Sequence, residues 1–563
     1  MPENKKRRPT KVPPAQPAET GEAKTTGKSP KREGKLAPER PARAAKTARA
    51  RSVPPSAPAA PSRPRRKPTT RSVVEASPAK APAEAPLSIL MVSSEAHPFA
   101  KTGGLAEVVG SLPSALARLG HYVTIILPRY RGVDVAGAAP MPASFRLGGA
   151  TVNVAFFTRD MEDGVRAVLV DAPELFDREG LYGTGPHDFP DNGWRFAVLS
   201  RAALEYARVS GIRPSIIHAH DWQAGLVPVF QKMIFSSDPV VGRVPVVFTI
   251  HNMAFQGVFP ADIVPALGLP GDVLHVDAME YWGQVSFLKA GINFSEKITT
   301  VSPTYSREIL TPELGFGLQG ALARRAADVT GILNGIDIDR WNPARDVLLP
   351  AAYTADDLSG KTAIKRALLE AAGLPADEAA RARPTIGLIS RLTYQKGFDI
   401  LAAATGDLMT LDASWVLLGS GDREYEDLWR RLADRHPDRV ATTIGFDERF
   451  AHLIEGGADI FLMPSRFEPC GLNQLYSLRY GTVPVVRATG GLEDTVRDAD
   501  ERADGNGFKF AEPTAASLMQ ALGRALAARR DPIRWKEIQQ RGMREDHSWD
   551  ASAREYVKVY RTV

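Results

Sequence analysis

Short apolar runs recur from residue 87 onward, each ending in a loop that carries glycine or charge and each followed by a stretch of helical periodicity. Leu87-Ser-Ile-Leu-Met-Val92 is the first. A run this short and continuous reads as a parallel strand buried on both faces. The loop Lys101-Thr-Gly-Gly104 comes next, then Leu105, Val108, Val109, Leu112, Leu116 and Leu119 at helical spacing, closed by Gly120. Pro113 inside that helix predicts a kink or a split, because proline lacks the N–H and crowds the preceding turn. Tyr122–Leu127 is the next strand, and a strand–helix–strand unit of this kind begins a doubly wound sheet. Ser215–His218, Val244–Ile250 and Lys297–Val301 extend it. Gly331-Ile-Leu-Asn-Gly-Ile336 carries a turn signal and reads as the crossing into a second domain. Residues 345–383 read as helical and polar. A second series of strands starts at Thr385 and runs through Trp415–Leu418, Ile460–Met463 and Val483–Val486. At 563 residues the chain exceeds one core. The expected class is α/β: two Rossmann-like domains, 87–330 and 331–545, facing a cleft.

Residues 1–86 are different in kind. They hold 21 Lys and Arg against 7 Asp and Glu, a net of +14, and 17 of the 44 prolines, with no Phe, Trp, Tyr or Cys. The whole chain is +6, so residues 87–563 are at −8 and the basic excess belongs to the tail. A segment this poor in apolar groups cannot offset its ordering entropy, so disorder is expected. Lys5–Arg8 and Arg63–Lys67 are able to attract a polyanion, although a solvated linker without a specific ligand has the same composition. The Arg-, Ala- and Ser-rich content hints at an organelle transit peptide, against which stand five acidic residues in the first 40. No apolar run is long enough for a membrane span. The single cysteine, Cys470, rules out an internal disulfide and a cysteine zinc site, and a reducing cytoplasm is the simplest setting.

Ligands of open parallel sheets sit outside the carboxyl ends of the strands. Arg391 and Lys396 follow the strand begun at Thr385, and Glu468 follows Ile460–Met463. Two cations suit a diphosphate, and a carboxylate suits the hydroxyls of a sugar. Thr489-Gly490-Gly491 opens a helix after the strand ending at Val486, where backbone N–H groups favour an anion. Lys101, Gly103 and Gly104 repeat that arrangement in the first domain, though a surface lysine beside a tight turn would look the same. Arg391 alone would also serve as an inter-domain salt bridge. His218-Ala-His220-Asp221-Trp222 lies at a strand end and His251-Asn252 ends the next strand. Histidines at such places are commonly structural, and His218 with His220 make a poor metal site. Tyr281-Trp282 reads as wall packing. Cys470, beside Glu468, reads as an inert core thiol close to the substrate.

Taken in order, Lys101-Thr-Gly-Gly-Leu, His218-Ala-His-Asp-Trp, Thr249-Ile-His-Asn, Trp282-Gly-Gln-Val-Ser-Phe-Leu-Lys-Ala-Gly291, Val301-Ser-Pro-Thr-Tyr305, Leu333-Asn-Gly-Ile-Asp337, Ser390-Arg-Leu, Gln395-Lys-Gly397, Pro464-Ser-Arg-Phe-Glu-Pro-Cys-Gly471 and Thr489-Gly-Gly-Leu492 resemble the bacterial glycogen synthase and plant starch synthase family. The resemblance covers roughly residues 87–563. It implies a GT-B glycosyltransferase that moves glucose from ADP-glucose to the nonreducing end of an α-1,4-glucan with retention, without a metal or other cofactor. It implies a donor-binding lysine at Lys101 and a catalytic-site acid, histidine and asparagine at Asp221, His251 and Asn334. The diphosphate pair falls on Arg391 and Lys396 with Gln395 close by, and the glutamate near the donor sugar on Glu468. His547-Ser-Trp549 through Tyr556 and Tyr560 match the family's last helix, so 546–563 is expected to pack back on the first domain. Glu107 stands where the family has Asp, and Phe446 where Tyr is common. A plastid starch synthase or a UDP-glucose enzyme is the nearest alternative. Lys101, His251, Arg391, Lys396 and Glu468 are all intact, which speaks against a decayed, nonenzymatic glucan-binding protein.

Overall fold

Nine strands make the first sheet, in the spatial order Val329–Gly331, Lys297–Thr300, Val246–Ile250, Ile216–His220, Ser88–Val92, Tyr122–Pro128, Arg166–Asp171, Ala150–Asp160 and Met141–Leu147. The first seven run parallel, and Ala150–Asp160 lies antiparallel to both its neighbours. The second sheet has six parallel strands, ordered Val440–Ile444, Ser414–Gly419, Thr385–Ile389, Ile460–Met463, Val483–Arg487 and Phe508–Phe510. This computed structural model describes residues 85–185 and 187–563. The reading of the tail as disordered and polyanion-attracting falls almost wholly outside the described residues.

The central strands are apolar because both their faces are covered. Ile217, Phe248, Val416 and Phe461 are all fully buried. The antiparallel strands next to the sheet's edge look different: Ala150–Asp160 mixes exposed and buried residues along its first half, as a sheet with one wet face requires. Pro113 does not split its helix. Gly104–Arg118 is continuous through it, with Pro113 on the buried face. Residues 345–383 are helical only over Gly360–Ala371 and Glu378–Ala382.

The final helix, Trp549–Tyr560, packs against Gly104–Arg118. Trp549, Ala553 and Tyr556 share a core with Ile89, Val108 and Leu112, and Arg118 pairs with Asp550 at 2.7 Å. A second junction is reciprocal. Helix Pro303–Glu308, capped by the Ser302 hydroxyl, packs against helix Gly490–Thr495. Asp494 accepts from the Thr304 N–H and hydroxyl at 2.8 and 2.7 Å. Glu308 in turn accepts from the Gly490 N–H at 3.1 Å and the Thr489 hydroxyl at 3.0 Å. Each helix thus sets a carboxylate on the positive end of the other.

Candidate active site

A cavity of about 1080 Å³ is lined by residues from both sheets. On the side of the second sheet are Arg391, Gln395, Lys396, Glu468 and Cys470. Arg391 directly follows the Ile389-Ser390 end of its strand, is exposed, and has no carboxylate partner among the described residues. Its one side-chain contact is a long 3.4 Å bond to Gln395 Oε1. Lys396 ends a short 3₁₀ turn whose tight exit is made by Gly397 at φ +76°. A side chain on Gly397 would collide with the Pro464 carbonyl, so glycine is what lets the loop lie against the strand end. Lys396 Nζ donates to Glu468 Oε2 at 2.5 Å, and the Ser465 hydroxyl donates to the same oxygen at 3.0 Å. The Cys470 thiol is buried, and burial pushes it up to about 12, so it stays protonated and inert.

On the side of the first sheet Asp221 is buried and His251 half-buried. Asp221 follows the last residue of strand Ile216–His220 and adopts φ +55°, ψ −176°, a conformation that favours glycine. Such a residue costs about 1–3 kcal/mol and persists only where its surroundings over-determine it. Here its N–H donates to the Thr249 carbonyl at 2.9 Å, and its Oδ1 accepts from the His251 N–H at 2.7 Å. Burial raises the Asp221 carboxyl to about 7, against the pull of the backbone N–H groups of His251 and Asn252. His251 Nε2 lies 3.0 Å from His220 Nδ1, and burial lowers His251 to about 3, so the ring is neutral. Asn334 lines the cavity with a buried Oδ1 that has no hydrogen-bond partner among the described residues. An orphaned acceptor of this kind costs about 1–3 kcal/mol until a ligand donor reaches it.

Lys101, Gly103 and Gly104 also line the cavity. Gly103 caps helix Gly104–Arg118 without any side-chain bond, which leaves that helix end open, while Lys101 is paired with Glu107. Thr489, Gly490 and Gly491 are not among the lining residues. The expectation of backbone donors there meets Glu308, which already holds Thr489 and the Gly490 N–H, and the Gly491 N–H turns to the carbonyls of Glu468 and Pro469 at 3.2 Å. The helix end does attract an anion, but the anion is a carboxylate of this chain. Tyr281 packs as expected, donating to the Phe316 carbonyl at 2.9 Å, whereas Trp282 is 82% exposed and packs on no wall. Phe446 lines the cavity and is 80% exposed. Sequence reasoning did not single out Glu95, Tyr182, Gln223 or the Arg340–Glu448 pair, all of which line the same cavity. Glu95 accepts from the Thr102 N–H and hydroxyl at 2.6 Å and from Tyr182 at 2.5 Å. Among the described residues no three His, Cys, Asp or Glu side chains converge in a way that would hold a metal.

Two largely parallel α/β sheets with a polar cleft between them, Arg391 and Lys396 on one wall and Asp221 and His251 on the other, define a GT-B glycosyltransferase. Residues 88–324 match the family model described as starch synthase catalytic domain, and 375–541 that of glycosyl transferases group 1. The glycogen synthase of Anaeromyxobacter dehalogenans (strain 2CP-C) is 51% identical over 85% of this chain and 100% of its own length. That of Myxococcus xanthus (strain DK1622) is 47% identical over 84% and 99%. The chain belongs to the glycogen synthase and starch synthase family. Among solved structures, the catalytic domain of starch synthase IV from Arabidopsis thaliana, bound to ADP and acarbose, superposes with a TM-score of 0.79 at 34% identity. That match covers 85% of this chain and 99% of the other. A sucrose-phosphate synthase from Thermosynechococcus elongatus, 19% identical with a TM-score of 0.54, shares the fold.

Proposed function

We propose that the protein transfers glucose from ADP-glucose to the nonreducing end of an α-1,4-glucan, retaining the anomeric configuration. The observation that carries this reading is the contrast across one cavity. Arg391 offers an unpaired cation at a strand end, and Asp221 and His251 face it from a buried wall. ADP and acarbose in the starch synthase IV structure support the same reading, being a nucleotide and an α-glucan mimic.

In this account Arg391 grips the diphosphate, and Lys396 shares itself between phosphate and Glu468. As the bond from the sugar to the β-phosphate breaks, negative charge grows on the phosphate and the two cations stabilise it. The anomeric carbon becomes oxocarbenium-like. Asp221 and Glu468 steady that positive charge and orient hydroxyls, His251 hydrogen-bonds the sugar, and Asn334 Oδ1 accepts from a substrate hydroxyl. The acceptor hydroxyl attacks on the face from which ADP departs and gives its proton to the leaving phosphate, so no protein nucleophile forms a bond. Lys101 and the open end at Gly103 and Gly104 contact the donor from the opposite wall. The two cations supply the positive charge that a metal supplies elsewhere, so activity should survive excess EDTA. Loss on chelation, restored by Mg²⁺ or Mn²⁺, would contradict this. We assign the reaction to the cytoplasm, on the bacterial relatives and on a lone cysteine buried as a thiol.

The test is incorporation of labelled glucose into glycogen by the purified protein, with ADP-glucose and UDP-glucose in parallel. Faster incorporation from ADP-glucose is expected. No incorporation, or incorporation from UDP-glucose alone, would overturn the proposal.

A further inference from the structure

His220 does not line the cavity, yet it touches the residue that does. Its Nδ1 lies 3.0 Å from His251 Nε2, and its Nε2 is buried with no hydrogen-bond partner among the described residues. Burial holds both rings neutral, with the neighbouring imidazoles adding to the effect at His220. Two neutral imidazoles share one hydrogen across such a contact, and only two arrangements exist. If His251 donated from Nε2, His220 would carry its own proton on Nε2, an N–H sealed away from every acceptor. If His220 donates from Nδ1, what is left unpaired at its Nε2 is a lone pair. Buried N–H groups without partners are the rarer and costlier of the two.

We infer that His220 is a positioning residue that fixes His251 as the Nδ1–H tautomer, so that His251 meets its ligand as a hydrogen-bond donor and not as a base. This rests on the reading of the cavity as a nucleotide-sugar site. Only Nδ1 of His251 remains for a ligand, since Nε2 is engaged, and Nδ1 has no partner among the described residues. A donor there suits a sugar hydroxyl oxygen or a phosphate oxygen, and it cannot take the proton of an incoming hydroxyl.

The support of His220 reaches the end of the chain. Its ring lies against that of His218, with centroids 4.0 Å apart. His218 is held on both nitrogens, by Thr249 Oγ1 at 2.6 Å and by Tyr560 of the last helix at 2.8 Å. Clamped in this way, the His218 ring is a fixed wall against which the His220 ring packs while its Nδ1 faces His251.

Two-bond ¹H–¹⁵N correlation on protein labelled at the histidine rings reads the tautomer directly, with His251 assigned from the signal lost in His251→Gln. Wild type should show His251 protonated on Nδ1. His220→Asn keeps a donor near the Nδ1 position and should preserve both the tautomer and most of kcat. His220→Asp, assayed at about pH 8.5 to favour the ionised carboxylate, offers only acceptors; it should reverse the tautomer and lower kcat about tenfold, the worth of one hydrogen bond, with little change in the KM for glucan. An Nε2–H tautomer in wild type would overturn the inference without any variant. So would a folded His220→Asp protein with reversed tautomer and unchanged kcat. A wild type that shows the Nδ1–H tautomer but transfers no glucose would sink the functional reading instead, and the two failures are therefore distinguishable.

Discussion

The two walls of the cleft hold their charges by opposite means. On the wall of the second sheet the leading cation is accessible: Arg391 is exposed, while Lys396 is half-buried against the buried Glu468. On the wall of the first sheet two groups are shifted by desolvation: Asp221 is raised to about 7, and His251 is lowered to about 3. A diphosphate brings full charge of its own and needs only cations within reach. A sugar develops charge only while it reacts, so the groups that answer it must already be desolvated and held in place. That holding is visible as the strained backbone of Asp221 and the engaged Nε2 of His251.

The largest effect should come from breaking the cationic wall. Arg391→Ala and Lys396→Ala should each lower kcat about 10²–10³-fold, in line with the loss of one preorganised charge contact. Circular dichroism should show the fold intact, because Arg391 supports no structure beyond one long bond. A folded variant close to wild-type turnover would erase the distinction between the walls.

Next comes Asp221, where function and stability should move in opposite directions. Its folded carboxyl titrates at about 7 against an ordinary value of 3.8. Between those values the unfolded chain gives up the proton and the folded one keeps it, so stability falls as pH rises from about 4 to about 7 and then levels off. Asp221→Asn lacks this loss. Its Tm should exceed that of wild type by more at pH 8 than at pH 5, while turnover collapses. In wild type, kcat/KM should fall as pH drops through about 7, as the free enzyme's carboxylate is protonated. A Tm difference independent of pH would show that Asp221 is not held in this way.

The smallest effect should follow removal of residues 2–84. Every residue lining the cavity lies at position 95 or beyond, so kcat and the KM for ADP-glucose should be unchanged at low and high salt. A folded truncated protein that loses most of its kcat would tie the tail to the active fold.

The contrast between the walls also explains what could be read from the sequence. Arg391, Lys396, Glu468 and Asp221 stand out because each follows an apolar strand, and the carboxyl end of a parallel strand is where ligands lie. Glu95 obeys the same rule, three residues past Val92, and was legible by it. Tyr182, Gln223 and the Arg340–Glu448 pair reach the cavity by tertiary folding, which leaves no local signature. Thr489-Gly490-Gly491 carried the right local signal for an anion, but nothing local could reveal that Glu308, some 180 residues earlier, supplies it. The central strands were legible for their continuous apolar runs. Met141–Leu147, Ala150–Asp160 and Val440–Ile444 were not, because strands at or next to a sheet edge, with one face wet, mix polar residues into the pattern. Trp282 defied a compositional reading, since an aromatic in a tight hairpin at φ +52° points away from any core.

ADP binding measured by titration calorimetry on Arg391→Ala and Asp221→Asn tests the division of labour most directly. ADP, the nucleotide product of the proposed reaction, carries the diphosphate and no glucose, so it should engage Arg391 and leave the sugar-facing Asp221 untouched. Arg391→Ala should weaken ADP about tenfold or more, the worth of a charge-assisted contact, while Asp221→Asn should leave ADP affinity unchanged despite abolishing turnover. Equal weakening by both variants, or none by Arg391→Ala, would contradict the assignment of the leaving group to Arg391 and of the sugar to Asp221.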